Sequence, residues 1–507
     1  MPLLSSYLDG IIFILLTLIV GVYFYLTRNF NYWKNRGVVE ISPHVIFGNF
    51  TKCWTLKLSP GYLLKKFYEE NENSPYVGIY IFDKPCLLVR DPEIIKRILI
   101  KDFNIFSNKL MRSSENDKLS NNCIFLIESP KWKYFKSNLS NLFTSRKLKN
   151  IFEYLQDVRE DLNFYLDSLN LTFEKRVNVK ELCAKFTIDV VGLTVLGLKL
   201  NCLRNSNAEF QKIVKRKMTG VSNLRRAIEV TSICLMPEIT NFFDFRFFEN
   251  DGIEFFKKPF QESLSERKKL KIKRHDLMDL LIQLRENNKN DSLEYDLKLE
   301  ENDLLSQAMI FFLAGYDSSA LTMSSTLYEL ARKPDIQNKL RGEINESLLK
   351  NNGKITYNMI TDLPYLEMVI LETLRMYPVL PIIDRIAVND YKIEETGLLI
   401  EKGTPILIPM LGLHYDRNYF SNPNEYDPEN FSDFNKSSRN PYVFMPFGIG
   451  PRSCIGMRQG LLQSKLGIAQ IISRFEVSLA NDSSAEIDPK GYFTLFKEDL
   501  FLNMRKI

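Results

Sequence analysis

The sequence predicts a mainly α fold with small β-sheets behind one N-terminal transmembrane helix, and three observations carry that expectation. Gly10 to Thr27 (GIIFILLTLIVGVYFYLT) is uncharged and almost wholly apolar. Its length lies within the roughly 17–25 residues a helix needs to cross a bilayer core. From about residue 130 to 380 the apolar residues recur in long amphipathic stretches with little strand alternation. Short alternating runs stand only near residues 76–90 and in the C-terminal tail.

The apolar run reads as an uncleaved signal anchor. Tyr23, Phe24 and Tyr25 supply an aromatic belt at its far end, and Arg28, Lys34 and Arg36 follow, while no Lys or Arg precedes it. That asymmetry places the body of the protein in the cytoplasm. A cleaved signal peptide would need a basic leader and small residues at the cut, where this chain has bulky aromatics. Sequons such as Asn138-Leu139-Ser140 are then out of reach of lumenal glycosylation. Residues 1–30 are taken as the anchor and residues 31–507 as one body, since no Pro/Gly/Ser-rich linker or internal repeat divides them.

Within the body, Tyr76 to Tyr80 and Pro85 to Arg90 read as a hairpin-like pair around Phe82-Asp83-Lys84. Asp91-Pro92-Glu93 opens a helix, with Asp91 as cap and Pro92 at its first position. A helix begins near Leu304, another spans Gly460 to Phe475, and Tyr492 to Met504 is expected to form a terminal hairpin. Between Pro378 and Arg452 the chain is irregular and rich in Pro, Asn, Asp and Gly.

Composition narrows the function. With 67 basic and 62 acidic residues the formal net charge is +5, too mild an excess for nucleic acid. The basic run Arg267 to Arg274 (RKKLKIKR), followed by the amphipathic Asp276 to Leu284 and the polar Glu286 to Asp291, reads as a solvated helix end or loop. Seven scattered cysteines without a CxxC argue against a disulfide framework and against zinc. His44, His275 and His414 lie far apart, which disfavours a His-based metal site or triad; His414 reads as a structural loop histidine.

Three stretches carry chemistry. Phe447 to Gly456 (FGIGPRSCIG) sets Cys454 among Gly448, Gly450, Gly456 and Pro451, just before a helix. Such a turn lets backbone approach a bulky planar ligand and aims amides at the sulfur. Amide donors and a helix N-terminus favour thiolate, and Arg452 offers a cation to a carboxylate at the ligand's edge. A lone cysteine would be an inert core thiol; the ten-residue setting inverts that expectation. Glu372-Thr373-Leu374-Arg375 puts Glu and Arg on one helix face, enclosed by Leu371, Leu374 and Met376, which predicts a buried pair in need of a third partner. Ala314-Gly315-Tyr316-Asp317-Ser318-Ser319 places acidic and hydroxyl groups in an apolar helix, where they are costly unless bonded. Gly315 is expected to permit a local widening of that helix.

These residues resemble cytochromes P-450. Phe447, Gly450, Arg452, Cys454 and Gly456 match every fixed position of that family's haem loop, FxxGxRxCxG. The resemblance implies the P-450 fold, haem b, Cys454 as axial iron ligand, Phe447 packed on the thiolate side and Arg452 paired with a haem propionate. Glu372 and Arg375 look like the ExxR motif. Their usual partner is the arginine of a PERF segment, and Pro428-Glu429-Asn430-Phe431 has Asn430 there, which implies a rewired lock. Asp317 and Ser318 resemble the acid–hydroxyl pair of AGxDT, which delivers protons during oxygen activation, with Ser318 in place of threonine. Trp132 and Lys136 resemble the WxxxR helix, with lysine for arginine, and Arg385 resembles a further propionate ligand. Tyr32-Trp33, Arg36-Gly37-Val38 and Gly450-Pro451-Arg452 lean towards the insect microsomal family-6 type.

The resemblance further implies a monooxygenase that inserts one oxygen atom from O2 into an apolar small molecule. The chain has no nucleotide-binding fingerprint, so electrons are expected from a partner; the resemblance implies the membrane-bound NADPH–cytochrome reductase, with cytochrome b5 as a second candidate. Lys131, Lys133, Lys136, Lys147 and Arg458 are candidate cations for acidic partners. The endoplasmic reticulum membrane is the implied location; the phenylalanine-rich stretch Phe242 to Phe256 reads by itself as core, and by the resemblance as a membrane-dipping roof of the substrate channel. Pocket candidates are Phe311, Ala314, Val379, Ile382, Ile383 and Phe493, within the wider Ser113 to Asn122, Val379 to Ile383 and Tyr492 to Leu495. A haem-thiolate isomerase or dehydratase, and a haem sensor or apolar carrier, are the rival readings; the retained Asp317-Ser318 pair argues against both.

Overall fold

The computed structural model describes residues 2–205, 209–214, 224–270, 274, 276–288 and 299–507. The apolar run lies in helix α1 (Pro2–Thr27), of which Asp9–Thr27 is long and apolar enough to cross a membrane and has no buried residue. The hairpin forms as β1 (Tyr76–Ile81) and β2 (Lys84–Val89), paired antiparallel from Tyr76 opposite Val89 to Ile81 opposite Lys84. Asp91 then caps the helix Pro92–Lys96, accepting the amides of Glu93 at 2.8 Å and Ile94 at 3.0 Å.

The helices and strands that frame the site come next in chain order. They are α2 (Lys131–Leu139), β3 (Lys175–Asn178), α3 (Val179–Val191), α4 (Glu301–Arg332), α5 (Pro364–Met376), β4 (Ile383–Ile386), β5 (Pro405–Ile408), α6 (Met457–Ile472), β6 (Phe475–Leu479) and β7 (Phe501–Lys506). Strands β1-β2-β5-β4 form one sheet, in which β2 and β5 run parallel. A smaller core of Trp33, Tyr80, Leu87, Ile383 and Ile408 packs against it. The large core lies among the helices, and α4 crosses it, buried around much of its circumference and packed on α3, α5 and α6. Its 32 residues span about 48 Å. A capping box between Glu300 and Asp303 starts α4 three residues before Leu304.

Four expectations need correction. The helix placed at Gly460 to Phe475 runs instead from Met457 to Ile472, because Gly456 of the cysteine turn is its N-cap and Phe475 already belongs to β6. The tail is not a Tyr492–Met504 hairpin. Strand β7 lies between β6 and β3, burying Leu502 and Met504, and only one bridge, Ile487 to Phe496, closes the preceding turn. Nor does α4 widen at Gly315: it is α-helical without interruption from Glu301 to Arg332. The basic run is not simply solvated either, since Arg267 is buried between Asp276 and Asp279, and Arg274 donates to the Gly197 carbonyl. Lys271 to Lys273, His275 and residues 289–291 lie outside the described residues.

Candidate functional site

The cysteine turn is held by its own backbone. The Cys454 amide donates to the Phe447 carbonyl at 2.7 Å, Gly448 donates to Met445 at 2.8 Å and Ser453 to Gly450 at 3.0 Å. Gly448 (φ 67°) and Gly450 (φ 71°) take the left-handed conformation, and a Cβ on Gly450 would also collide with the Leu99 carbonyl. Of the seven cysteines, all described, Cys454 alone is exposed. Although the residue is exposed, desolvation by the protein packed around the sulfur pushes the thiol up, against the pull of the Gly456 and Met457 amides and the Lys136 charge. Lys136 reaches this turn from α2, donating to the Ser453 carbonyl. A Cβ on Gly456 would meet nothing within 4 Å, so the protein itself does not require glycine there.

Beside the turn lies a cationic edge. Arg452 donates through Nε to Ser107 (2.9 Å) and through Nη2 to Ile127 (2.8 Å), with its guanidinium 4.3 Å from the Trp132 ring centroid. Arg385, in β4, donates through Nη1 to the Asp384 carbonyl. Among the described residues, Arg452 Nη1 and Arg385 Nε are buried without a partner. Two orphaned guanidinium donors fit the carboxylates of the expected haem, just as the unfilled side of Gly456 fits its plane. The structure adds Lys109 to this edge, a residue the sequence did not single out, with Nζ 3.4 Å over the Phe125 ring. Burial and the neighbouring Arg385 and Arg452 pull Lys109 down to about 8, with Asp384 opposing. Its one sequence signal is a single charge in the run FNIFSNKLM.

Beneath the turn, Glu372 and Arg375 pair on α5 with no side-chain exposure. Arg375 Nε and Nη2 grip the carboxylate at 2.8 and 2.7 Å, and the remaining donors reach the carbonyls of His414, Pro423 and Glu425. Glu372 also accepts from the Asp427 amide (3.0 Å) and from Asn430 Nδ2 (3.2 Å). Arg439, likewise absent from the sequence expectations, lies over the Phe420 and Phe431 rings and interacts electrostatically with Glu372. Buried His414 contacts the Arg375 carbonyl through Nδ1 and accepts the Met445 amide through Nε2, tying α5 to the cysteine segment.

On α4, Ala314 is exposed between buried Phe312 and Tyr316, and Phe311, Ala314 and Ser318 share one face. Ser318 Oγ donates to the Ala314 carbonyl at 2.6 Å. Burial pushes the Asp317 carboxyl up to about 6, opposed by Lys180. Gln463 of α6 donates to the Gly315 carbonyl at 2.8 Å and to Ser319 Oγ, holding the helix from behind. Phe311 stacks on Phe143, with ring centroids 6.0 Å apart. The Thr494 amide bonds Val379 O at 3.1 Å, which seats half-buried Phe493 beside Val379. Ile382 belongs to the large core and Ile383 to the smaller one, so these two candidates point into different cores. Ser113, Asp117 and Ser120 accept from the amides of Phe247 and Phe248, joining the expected pocket segment Ser113 to Asn122 to the phenylalanine-rich stretch.

The model of the family described as Cytochrome P450 matches residues 40–503. Cytochrome P450 6k1 of Blattella germanica is 40% identical over 489 residues, covering 94% of this chain and 92% of that protein. Cytochrome P450 6j1 of the same insect is 36% identical over 505 residues, covering 99% of each. Probable cytochrome P450 6g2 of Drosophila melanogaster is 35% identical over 514 residues, covering 98% of this chain and 99% of the relative.

Proposed function

The chain belongs to the cytochrome P-450 family and is a haem monooxygenase, and from that premise we propose that Cys454 is the axial thiolate ligand of its haem iron. When bound, the haem supplies reductive activation of O2, with the thiolate favouring O–O cleavage. The observation that carries the assignment is the turn itself: one exposed cysteine, its amide bonded to the Phe447 carbonyl between the left-handed Gly448 and Gly450 and the start of α6, with Lys136 bonded to the adjoining Ser453 carbonyl.

Each neighbouring residue has a part in this reading. Arg452 and Arg385 turn their orphaned donors to the haem carboxylates, Trp132 backs Arg452, Lys136 fixes the Ser453 carbonyl, and Phe447 holds the Cys454 amide. Glu372, Arg375 and Asn430 keep the turn's underside rigid. Asp317 holds and releases a proton near neutral pH, and Ser318 passes it on by rotating away from the Ala314 carbonyl. Serine rotates more freely than threonine at this position.

The family acts with a redox partner on apolar substrates. Here the electron source is NADPH–cytochrome reductase, with cytochrome b5 as an auxiliary donor. The substrate is an apolar xenobiotic or an endogenous lipid-like molecule, held by Phe311, Ala314, Val379 and Phe493. Residues 1–30 anchor the catalytic domain, residues 31–507, to the cytoplasmic face of the endoplasmic reticulum. The exposed Phe242 and Phe243 touch lipid beside the anchor. The test is reconstitution with reductase and NADPH against a panel of apolar compounds. Oxygenated product formed only with both O2 and reductase supports the reading. Rearrangement of substrate peroxides without NADPH would contradict it.

A further inference from the structure

One segment crosses the cationic edge and is pinned on both sides of a single lysine. The Ser107 carbonyl accepts from Arg452, the Asn108 carbonyl accepts the Ile386 amide at 3.1 Å, and Asn108 Oδ1 accepts from Ser129. Beyond Lys109, the Leu110 and Met111 amides both donate to one oxygen, Asp384 Oδ2, at 2.7 and 3.2 Å. Asp384 is 2% exposed and belongs to β4 beside Arg385. A buried carboxylate persists only where donors or cations compensate it, and here the donors are the two amides that come after Lys109.

The local charges do not cancel. Lys109, Arg385 and Arg452 interact with one another and with Asp384, while nearby Glu128 is paired with Arg112. Three cations against one carboxylate leave an excess of two positive charges among the described residues, the complement of a dicarboxylate. Lys109 is flexible and carries no planar fork to fix its own direction, so its aim depends on where its backbone is held.

The geometry points to Asp384 as a positioning residue that, by pinning the Leu110 and Met111 amides to β4, holds Lys109 as a third cation against the haem carboxylates. This rests on the haem-thiolate reading and adds to it a residue that does not itself touch the cofactor. The Asp384 side chain contributes through the place of its oxygen rather than through its charge. Asn retains an acceptor at that place without the charge, whereas Glu keeps the charge and moves the acceptor by one methylene.

The experiment tracks haem transfer from the full-length holoenzyme in nanodiscs to excess apomyoglobin. Asp384→Asn is expected to lose haem at close to the wild-type rate. Asp384→Glu and Lys109→Met are each expected to lose it roughly tenfold faster, the scale for removing a group that orients a ligand. Lys109→Met should add little in the Asp384→Glu background, because the lysine is already misplaced there. Glu at the wild-type rate, Asn as fast as Glu, or a Lys109→Met effect equal in both backgrounds would overturn the assignment. The Cys454 reading fails separately, through the reduced CO-bound spectrum of the wild type, and haem loss can be scored whichever way that spectrum falls.

Discussion

Two arginines close to the cysteine segment, Arg375 fully buried and Arg452 half-buried, are treated in opposite ways. Arg375 has an acceptor for each of its five donor directions: two on Glu372 and one each on His414, Pro423 and Glu425. Arg452, on the cysteine turn, keeps Nη1 without a partner, as Arg385 keeps Nε. A fully satisfied polar network fixes one geometry. Buried donors left open cost stability unless something outside the chain completes them. The Glu372–Arg375 lock is therefore finished by the protein itself, and in the proposed reading the edge beside the cysteine is finished by the cofactor.

The largest effect is expected where the network is complete. Arg375→Ala strands the Glu372 carboxylate in the core and should cost about 3–5 kcal/mol, read as loss of folded, haem-bearing protein in thermal denaturation. A loss below about 1 kcal/mol, the scale of an exposed pair, would show that the lock is not the fixed element. On the α4 side, Asp317→Asn removes the proton carrier and should lower product formation by about a hundredfold, the scale of one general acid or base. Ser318→Thr should retain or improve product formed per NADPH, since the hydroxyl stays and its rotamer narrows. Equal turnover by wild type and Asp317→Asn would leave the relay without its acid.

The same carboxyl carries a pH signature. Its folded value, pushed up to about 6, exceeds the ordinary carboxylate value, so between about pH 4 and 6 the native state keeps a proton that the unfolded chain has released. Stability from this group therefore falls as pH rises through that window, and the penalty is fully present above it. After discounting for partial exposure, about 2 kcal/mol is expected. Asp317→Asn should flatten this slope in denaturant unfolding measured across that same window, from about pH 4 to 6; an unchanged slope would place the titration elsewhere. The smallest effects separate the lock's substitutes. Asn430→Ala should cost about 1 kcal/mol for one hydrogen bond, and Arg439→Leu should cost more, because Arg439 brings the charge that Asn430 lacks. The reverse order would assign the rewiring to the amide.

The contrast also explains what was legible in the sequence. Cys454 with its glycines, Glu372 with Arg375, and Asp317 with Ser318 each lie within one turn or one helix face, so local spacing displayed them together. The β1–β2 hairpin and the Asp91 cap were readable for the same reason. Lys109, Asp384 and Arg439 act through partners far along the chain; the bond from Arg452 to Ser107, two residues before Lys109, spans 345 residues. No periodicity encodes such a meeting. Strand β7 escapes local reading likewise, since its partners are β6 and β3 rather than the segment from Tyr492 that directly precedes it. The cysteine turn shifted the expected helix because Gly456 both ends the turn and starts α6.

The central claim is that Cys454 holds the iron as thiolate at an edge the protein leaves open. It is tested most directly by the absorption spectrum of the dithionite-reduced, CO-bound protein, wild type beside Cys454→Ala. The account predicts the strongly red-shifted Soret band of a thiolate ligand in the wild type and its absence in the variant. A wild-type spectrum without that band, or a Cys454→Ala spectrum that keeps it, would contradict the account.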